Sequence, residues 1–273
     1  MFIEPKTALT LGKLAVEHRQ KILPLLRRLS RRIRRGKLRV PLFGAGGCGK
    51  TTLGLYLAGK LDWETRPTAY KESIEVEKYT LEGDLVCDLI VPPGQEEREY
   101  HWKTLYQNLA AGKSGGVINI VSYGYHSFTP DSYKETKYYE DPMTPAQFMT
   151  AYLNNRRARE LQIMKDLTPR LIDAQKNIWM ITLVTKQDLW WDRRRQVQQH
   201  YTQGEYNSYI KQITLKRGAN NFTHEYLSAS LLISNFRTGG GELLASTTAG
   251  YDETIRIANL LKLVEQVDSF AGR

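Results

Sequence analysis

The chain has 273 residues, and its 39 lysines and arginines against 29 acidic residues give a formal net charge of +10. Its 41% of hydrophobic residues is enough for a folded core, which excludes a wholly disordered chain or a collagen. The most apolar runs, Gly116–Ser122 and Ile178–Val184, are far shorter than the roughly 20 residues of a membrane-spanning helix. Two cysteines make no disulfide framework and Met1 starts no signal peptide, so we expect a cytoplasmic protein.

The positive charge is concentrated near the start of the chain. Eight basic residues and no acidic one lie from Lys21 to Lys37, and apolar residues from Ile22 to Ile33 follow a helical stripe between them. We therefore predict that residues 1–36 form a basic helical extension. The expected partner of this helix is its own domain or another protein. An anionic membrane surface is the alternative, through residues 21–37, and we do not expect a nucleic acid partner.

Strand and helix patterns alternate after Gly36. The predicted strands are Lys37–Phe43, Glu72–Thr80, Leu85–Val91, Gly116–Ser122, Ile178–Val184 and Phe222–Ser228. The predicted helices are Thr51–Gly59, Glu97–Ala111, Pro145–Lys176, Trp190–Lys211 and Tyr251–Val267. The second and third strands form a hairpin around Glu82-Gly83-Asp84, which adds an antiparallel edge. The pattern predicts an α/β fold, a mostly parallel mixed sheet flanked by helices.

A glycine-rich loop connects the first predicted strand to the first predicted helix. Its residues fit the pattern GxxxxGK[ST] and are Gly44, Ala45, Gly46, Gly47, Cys48, Gly49, Lys50 and Thr51. Such a loop turns successive backbone N–H groups toward phosphates, aided by the helix N-terminus. Lys50 would reach the β- and γ-phosphates, the Thr51 hydroxyl would bind Mg²⁺, and Thr52 follows in the first helical turn. The loop predicts a site for a nucleoside triphosphate.

Two later strands end in short motifs that bear on the choice of base. Ile178–Val184 is followed by Thr185, Lys186, Gln187 and Asp188, and Phe222–Ser228 ends in Ser228, Ala229 and Ser230. The carboxylate of Asp188 can accept both the N1–H and the exocyclic amine of guanine, whereas adenine offers no such pair of donors. The stem of Lys186 would lie along the base. These residues resemble the [NT]KxD and SA[KLS] motifs of Ras-like GTPases, a resemblance that covers about residues 38–267 and implies GTP or GDP as ligand.

The same family resemblance assigns the switch residues. Thr68 lies 18 residues after Lys50, where the switch I threonine of that family would close over Mg²⁺ and the γ-phosphate. Gly94 and Gln95 resemble its switch II, in which a glycine N–H binds the γ-phosphate and a glutamine orients the attacking water. The family's Mg²⁺-holding aspartate is Val91 here, and Asp88 is a poor substitute because it faces the other side of its strand. The expected protein ligands of Mg²⁺ are Thr51 and Thr68, and either a second acidic residue takes the place of the missing aspartate or phosphates and water complete the shell.

Two functions remain open at this point. The chain is either a switch that hydrolyses GTP, with Gln95, Lys50 and Thr68 as its catalytic residues, or a GTP-binding module with little turnover. Val91 favours the second and Thr68 with Gln95 the first. For the switch we expect a protein partner to bind the switch loops. In either case we expect a protein effector or complex partner, and a location in the cytoplasm or at the periphery of a membrane. Residues 37–273 would form the GTPase-like domain, with insertions at about 123–177 and 189–221.

Overall fold

The computed structural model describes residues 40–57, 77–79, 89–91, 106–107, 109–111 and 114–271. The predicted basic extension at 1–36 and the predicted helix at 97–111, apart from its last few residues, lie outside these ranges. The predicted switch residues Thr68, Gly94 and Gln95 lie outside them as well.

The central sheet has four parallel strands in the order β1, β4, β5, β6. These are β1 (Leu42–Phe43), β4 (Gly116–Val121), β5 (Ile178–Val184) and β6 (Phe222–Ser228). The α/β prediction is confirmed, and β5 and β6 have the predicted bounds. The predicted hairpin is present as β2 (Glu77–Tyr79) and β3 (Leu89–Val91), which pair antiparallel with each other. In the ranges described, its ladder is separate from the ladder of the four parallel strands.

Successive residues of the parallel strands face two different cores. On one side, which we call the aliphatic face, Leu42, Ile118, Ile120, Ile181 and Leu183 pack under helices α1 (Lys50–Leu57) and α5 (Glu253–Ala271). The other side, the polar face, has buried polar side chains among its apolar residues, namely Asn119, Thr182 and the partly buried His224. Helices α2 (Pro145–Ile172), α3 (Arg194–Thr202) and α4 (Glu205–Arg217) cover that side. None of the helices described is both long and apolar enough to cross a membrane.

Helix α2 begins and ends at defined side-chain contacts. Thr144 and Gln147 form a capping box, with Pro145 at the first helical position, where a missing N–H has no consequence. The helix ends at Ile172, four residues before the predicted end. The guanidinium of Arg217 donates to the carbonyls of Leu171 and Ile172 and so satisfies groups that have no partner within the helix.

The single helix predicted over Trp190–Lys211 is wrong, because two helices, α3 and α4, occupy this region. The chain breaks at Gly204, whose N–H donates to the carbonyl of Gln199. A Cβ at Gly204 would lie 2.4 Å from the carbonyl oxygen of His200, so a side chain does not fit this close approach. The break divides this region into two helices, both of which pack on the polar face.

A short hairpin that the sequence patterns did not predict follows β6. It consists of β7 (Phe236–Arg237) and β8 (Leu243–Ala245). Gly239 lies so close to the loop after β4 that a Cβ there would be 2.2 Å from the carbonyl oxygen of Thr129. The N–H of Gly239 donates to the carbonyl of Pro130. This hairpin therefore packs against the loop that follows β4.

Candidate nucleotide-binding site

The predicted nucleotide-binding residues in the described ranges gather at one edge of the sheet. The glycine-rich loop follows β1, the Thr185–Asp188 loop follows β5, and Ser228–Ser230 ends β6. Because the strands are parallel, all three segments leave from carboxyl ends, which is where α/β proteins of this kind bind ligands. The loop after β4, residues 122–128, lies among them although the sequence analysis gave it no role.

The glycines of the first loop adopt backbone conformations that other residues rarely reach. Gly44, Gly47 and Gly49 have φ angles of 140°, 75° and 103°. A Cβ at Gly44 would lie 2.3 Å from the carbonyl oxygen of Ile120, and one at Gly47 would lie 2.4 Å from the backbone nitrogen of Ser127. Both the conformation and the space therefore require glycine at these two positions. Ala45 and Cys48 are buried, and burial raises the pKa of the Cys48 thiol, which keeps it protonated and inert.

Lys50 is the first residue of α1, and its side chain bends back over the loop. Its Nζ donates to the carbonyl oxygens of Gly44 at 2.8 Å and Ala45 at 2.7 Å. The side chain is 6% exposed, so its charge is held on the loop in a poorly solvated position, where an anion would be attracted most strongly. Thr51 and Thr52 follow in the first turn of α1 and are half-buried. This end of the site is suited to phosphate.

Thr185 joins the phosphate end of the site to the β5 loop. Its hydroxyl lies 2.7 Å from the carbonyl oxygen of Cys48 and 3.1 Å from that of Val121. The carbonyl of Thr185 accepts from Trp190 Nε1 at 2.9 Å. A threonine that is 1% exposed thus fixes the distance between two segments far apart in the sequence.

Lys186 adopts a left-handed conformation, with φ of 56°, which turns the chain sharply after β5. Its Nζ donates to Ser127 Oγ at 3.0 Å and lies 5.5 Å from the centre of the Phe236 ring. Burial lowers the pKa of this ammonium to about 8, while Asp188 and Glu160 oppose the shift. The side chain therefore spans the space between the loop after β4 and the β7–β8 hairpin.

Asp188 is a buried carboxylate at this edge, and both of its oxygens accept hydrogen bonds from the protein. It is 1% exposed, its Oδ1 accepts from the hydroxyl of Ser230, and its Oδ2 accepts from the backbone N–H of Ser234 at 3.0 Å. Its own N–H donates to Ser230 Oγ at 2.8 Å, and its carbonyl accepts from the N–H of Thr248 at 2.7 Å. Burial raises the pKa of Asp188 although these hydrogen bonds oppose the shift. Each carboxylate oxygen has two lone pairs, so each can accept one further hydrogen bond.

The Ser228–Ser230 segment lies beside Asp188, but its N–H groups already have protein acceptors. Ala229 donates to the carbonyl of Val184 at 3.1 Å, and the N–H of Ser230 donates to the hydroxyl of Tyr251 at 3.1 Å. Ser228 Oγ accepts from Gln187 Nε2 at 2.9 Å. A base that used one of these N–H groups would have to replace one of these acceptors.

Sequence reasoning missed four contributors to this site. They are Ser127, Ser234, Thr248 and Tyr251, which contact the predicted residues directly. Three of them lie in residues 231–251. The sequence of this segment has no clear alternation of apolar and polar residues that would predict the β7–β8 hairpin. The only sequence signal for this segment was its length between the last motif and the final helix.

The residues present fit a magnesium ion only as a partial shell. Mg²⁺ prefers oxygen ligands and is commonly bound by one or two protein groups together with phosphates and water. Thr51 offers a hydroxyl at the start of α1, directly after Lys50. No group of three His, Cys, Asp or Glu side chains placed to hold a metal occurs among the residues described. The hydroxyl of Thr51 is suited to complete the shell of an ion that also binds the phosphates of a nucleotide.

No family model matches this chain, and no curated protein matches it. Solved structures do match. The signal recognition particle receptor SRb-GDP from Chaetomium thermophilum is 15% identical, with 71% of this chain and 89% of that chain covered and a TM-score of 0.38. Toc33 from Arabidopsis thaliana, in complex with GDP and Mg²⁺, is 11% identical over 93% of this chain and 92% of that chain, with a TM-score of 0.40.

A third match is the ADP-ribosylation-factor-like GTP-binding protein, small COPII coat GTPase SAR1, from Encephalitozoon cuniculi in complex with GDP. It is 10% identical over 94% of each chain, with a TM-score of 0.35.

Proposed function

We propose that this chain binds the guanine nucleotides GTP and GDP at the carboxyl edge of its sheet. The observation that carries the proposal is the placement of Lys50 on a glycine-rich loop and of the buried Asp188 carboxylate at the same edge. Thr185 ties the two segments together through its bond to Cys48. A guanine nucleotide carries negatively charged phosphates at one end and, on its base, an N1–H and an exocyclic amine that donate hydrogen bonds. A cation at one end of the site and a carboxylate at the other match these groups.

Each end of the site then has its own chemistry. Lys50 and the N–H groups of residues 44–51 bind the phosphates, helped by the N-terminus of α1. Asp188 accepts the N1–H and the exocyclic amine of guanine. With adenine it would keep a buried charge without matching donors, which costs several kcal/mol of discrimination in favour of guanine.

Mg²⁺ is the cofactor that accompanies such a nucleotide. Thr51, with Thr68 from outside the described residues, would hold it together with phosphate oxygens and water. When bound, the ion neutralises negative charge on the β- and γ-phosphates. What the chain itself contributes is the hydroxyl of Thr51 and the charge of Lys50.

We extend the proposal to a switch that hydrolyses GTP to GDP, with Gln95 orienting water and the N–H of Gly94 binding the γ-phosphate. A protein partner would then bind the loops that contain Thr68 and Gln95, in the cytoplasm or at a membrane periphery. The second candidate is a GTP-binding module with little turnover. Val91, the last residue of β3 opposite Glu77, favours it because an aliphatic residue stands where the Ras-like family has a Mg²⁺-holding aspartate.

Equilibrium titration with a fluorescent GDP analogue, with GTP, GDP and ATP as competitors, tests the binding proposal. We expect GTP and GDP to compete at least about 100-fold better than ATP, because one unmatched buried group costs about 3 kcal/mol or more. Lys50→Ala should abolish binding at unchanged circular dichroism. Asp188→Asn should shift preference from GDP to xanthosine diphosphate, since an amide matches the acceptor of xanthine.

Asp192→Asn is the matched control. Its carboxylate is 59% exposed and lies four residues after Asp188, outside the site. It should bind GDP as the wild type does. Equal competition by ATP and GTP, or no gain of xanthosine diphosphate binding in Asp188→Asn, would overturn the assignment. Single-turnover conversion of GTP to GDP then separates the switch from the module.

A further inference from the structure

A single buried carboxylate on α2 holds the loop that follows β4. Glu160 is 1% exposed, and its Oε1 accepts from the N–H groups of Ser122 at 2.8 Å and Gly124 at 3.2 Å. The same oxygen lies 2.9 Å from His126 Nε2, and Oε2 accepts from the hydroxyl of Tyr201 at 2.6 Å. Helix α2 lies in the region that the sequence analysis treated as an insertion, and none of these contacts was predicted.

At neutral pH the directions of both pKa shifts favour an ionised carboxylate beside a neutral histidine. Burial would raise the pKa of Glu160, but the hydrogen bonds from His126, Tyr201 and Ser122 outweigh it and lower that pKa below its usual value. Burial lowers the pKa of His126 despite the nearby carboxylate. Because an ionised carboxylate only accepts, the hydrogen-bond network assigns the imidazole hydrogen to Nε2. Glu160 is thus a buried charge fully engaged by donors from one short loop and from α3.

This loop has a backbone shape that depends on α2. Tyr123 and Gly124 have φ angles of 53° and 85°, and a left-handed tyrosine persists only where its surroundings enforce it. A Cβ at Gly124 would lie 2.4 Å from the carbonyl oxygen of Leu153 on α2. The N–H of Tyr123 donates to the hydroxyl of Tyr201 at 3.0 Å. The charge of Glu160 gathers the N–H groups of this turn in the way an anion is held by successive backbone donors.

Ser127, the residue after His126 in this loop, contacts both ends of the nucleotide site. The N–H of Ser127 donates to the carbonyl of Gly47 at 2.9 Å, and Ser127 Oγ accepts from Lys186 Nζ at 3.0 Å. Gly47 is a residue of the glycine-rich loop, and Lys186 belongs to the β5 loop that ends in Asp188. Ser127 therefore bridges the phosphate end and the base end, one residue after the histidine bonded to Glu160.

We propose that Glu160 is a positioning residue for nucleotide binding, acting through the 122–126 turn and Ser127 on Gly47 and Lys186. The inference rests on the proposed function, because the property it controls is affinity for a guanine nucleotide. Removing the charge loosens the turn, so Ser127 no longer holds Lys186 and the glycine-rich loop at a fixed separation. Couplings carried by such networks amount to about 2- to 30-fold in affinity.

The test is a double-mutant cycle on GDP affinity, read with the fluorescent analogue and Mg²⁺. Glu160→Gln keeps the side-chain shape and removes the charge, and Ser127→Ala removes the acceptor of Lys186. We expect each to weaken GDP binding about 10-fold. If the two act through one path, the double variant should be no more than about 2-fold weaker than the weaker single variant. If the double variant instead weakens GDP binding by the product of the two single-variant factors, the proposed path is wrong.

Thr168→Ala is the matched control for a purely structural effect, because truncating this buried side chain leaves a small cavity. Thr168 lies on the same helix, is 3% exposed, and its hydroxyl donates to the carbonyl of Met164 at 2.7 Å, away from the loop. It should lower the melting temperature while GDP affinity, measured well below melting, stays within about 2-fold of wild type. A loss of affinity equal to that of Glu160→Gln would assign the effect to stability and overturn the inference.

The outcomes separate this inference from the function on which it rests. Wild-type protein that binds no guanine nucleotide overturns both. Wild-type protein that binds GDP, with Glu160→Gln binding equally well, overturns only the positioning role. Should Glu160→Gln fail to fold, Tyr201→Phe takes its place, since it keeps the charge and removes one donor to Oε2 and the acceptor of Tyr123. A loss of at least about 3-fold is then expected, and none would overturn the inference.

Discussion

The two faces of the parallel sheet are built from different kinds of interaction. The aliphatic face presents residues such as Ile118 and Ile181 to α1 and α5, and hydrophobic burial accounts for its packing. On the polar face, Asn119 and Thr182 alternate with them on the same strands and hydrogen-bond to Tyr206 on α4. The loop after β4 belongs to the polar face as well, because the Glu160 carboxylate accepts hydrogen bonds from its backbone. The comparison shows that the side with the directional contacts is also the side that shapes the candidate site.

This division has a physical reason. Apolar packing is nondirectional and tolerates substitutions that conserve volume, whereas a buried hydrogen-bond network fixes one arrangement and is costly when half-satisfied. A loop that must keep Ser127 at a set distance from Gly47 and Lys186 gains more from the second kind of contact. Three predictions break or sharpen the contrast, beginning with the largest expected effect.

Leu263→Ala should destabilise the protein most. Leu263 on α5 is fully buried in the aliphatic core, and its truncation leaves a cavity worth about 3 kcal/mol of unfolding free energy. Urea unfolding would show a lower midpoint at an unchanged slope. Leu215→Ala on α4, where the side chain is 83% exposed, is the control and should change the free energy by less than about 0.5 kcal/mol. Similar losses in both variants would contradict the packing of α5 on this face.

Tyr206→Phe should cost about 1 to 2 kcal/mol on the polar face. Its hydroxyl accepts from Asn119 Nδ2 at 2.7 Å and lies 3.2 Å from Thr182 Oγ1, so its loss leaves the buried Asn119 amide without this acceptor. Adding Asn119→Leu removes the stranded amide. The double variant should therefore lose at least about 0.5 kcal/mol less than the two single losses added together.

Tyr139→Phe serves as the control for removal of a tyrosine hydroxyl. The hydroxyl of Tyr139 donates to Asp141 at 2.9 Å on the surface, where water can replace it. Its loss should change the unfolding free energy by less than about 0.5 kcal/mol. If the losses of unfolding free energy from the Asn119 and Tyr206 substitutions simply add, these side chains are not coupled and the polar face behaves like the aliphatic one.

The sequence predicted the sheet and the glycine-rich loop because both depend on local pattern. The segments that form β5 and β6 are rich in β-branched and aromatic residues and are bounded by turn residues. Gly44 and Gly47 stand where the backbone requires glycine. The break at Gly204 was missed because the helical pattern continues on both sides of it. Glu160 was missed for another reason: a lone glutamate within a helix looks solvent-exposed in a sequence. Only the tertiary contacts of α2 show that it is buried and bonded to a loop.

Acidification should weaken the protein through the polar face. Burial lowers the pKa of His224 to about 3, and its Nε2 lies 2.9 Å from Thr182 Oγ1. The unfolded chain takes up this proton near pH 6.5 and the folded chain does not, so the stability is fully present above that pH and falls below it. For this partly buried ring, the loss between pH 7 and pH 5 is about 1 to 2 kcal/mol. His126, whose pKa is also lowered by burial, adds a loss of the same sign.

Urea unfolding at pH 7 and pH 5 measures this loss, and His224→Phe identifies its source. The phenyl ring can keep the stacking on Phe222 and the edge contact with Tyr226, while Thr182 retains its contact with Tyr206. The variant should lose about 1 to 2 kcal/mol less than wild type over this interval. If the variant and the wild type lose the same free energy of unfolding, His224 takes up its proton as readily in the folded protein as in the unfolded chain.

The contribution of Glu160 falls in a lower window. Because its pKa is depressed in the folded protein, its stabilisation is kept until the pH drops below the ordinary pKa of a glutamate in an unfolded chain, about 4.3. A loss between pH 7 and pH 5 therefore reports on the histidines beside the polar face, among them His200 on α3, whose pKa burial also lowers. The titratable side chains of the aliphatic core, Cys48 and Tyr56, have pKa values raised by burial and stay protonated over this interval.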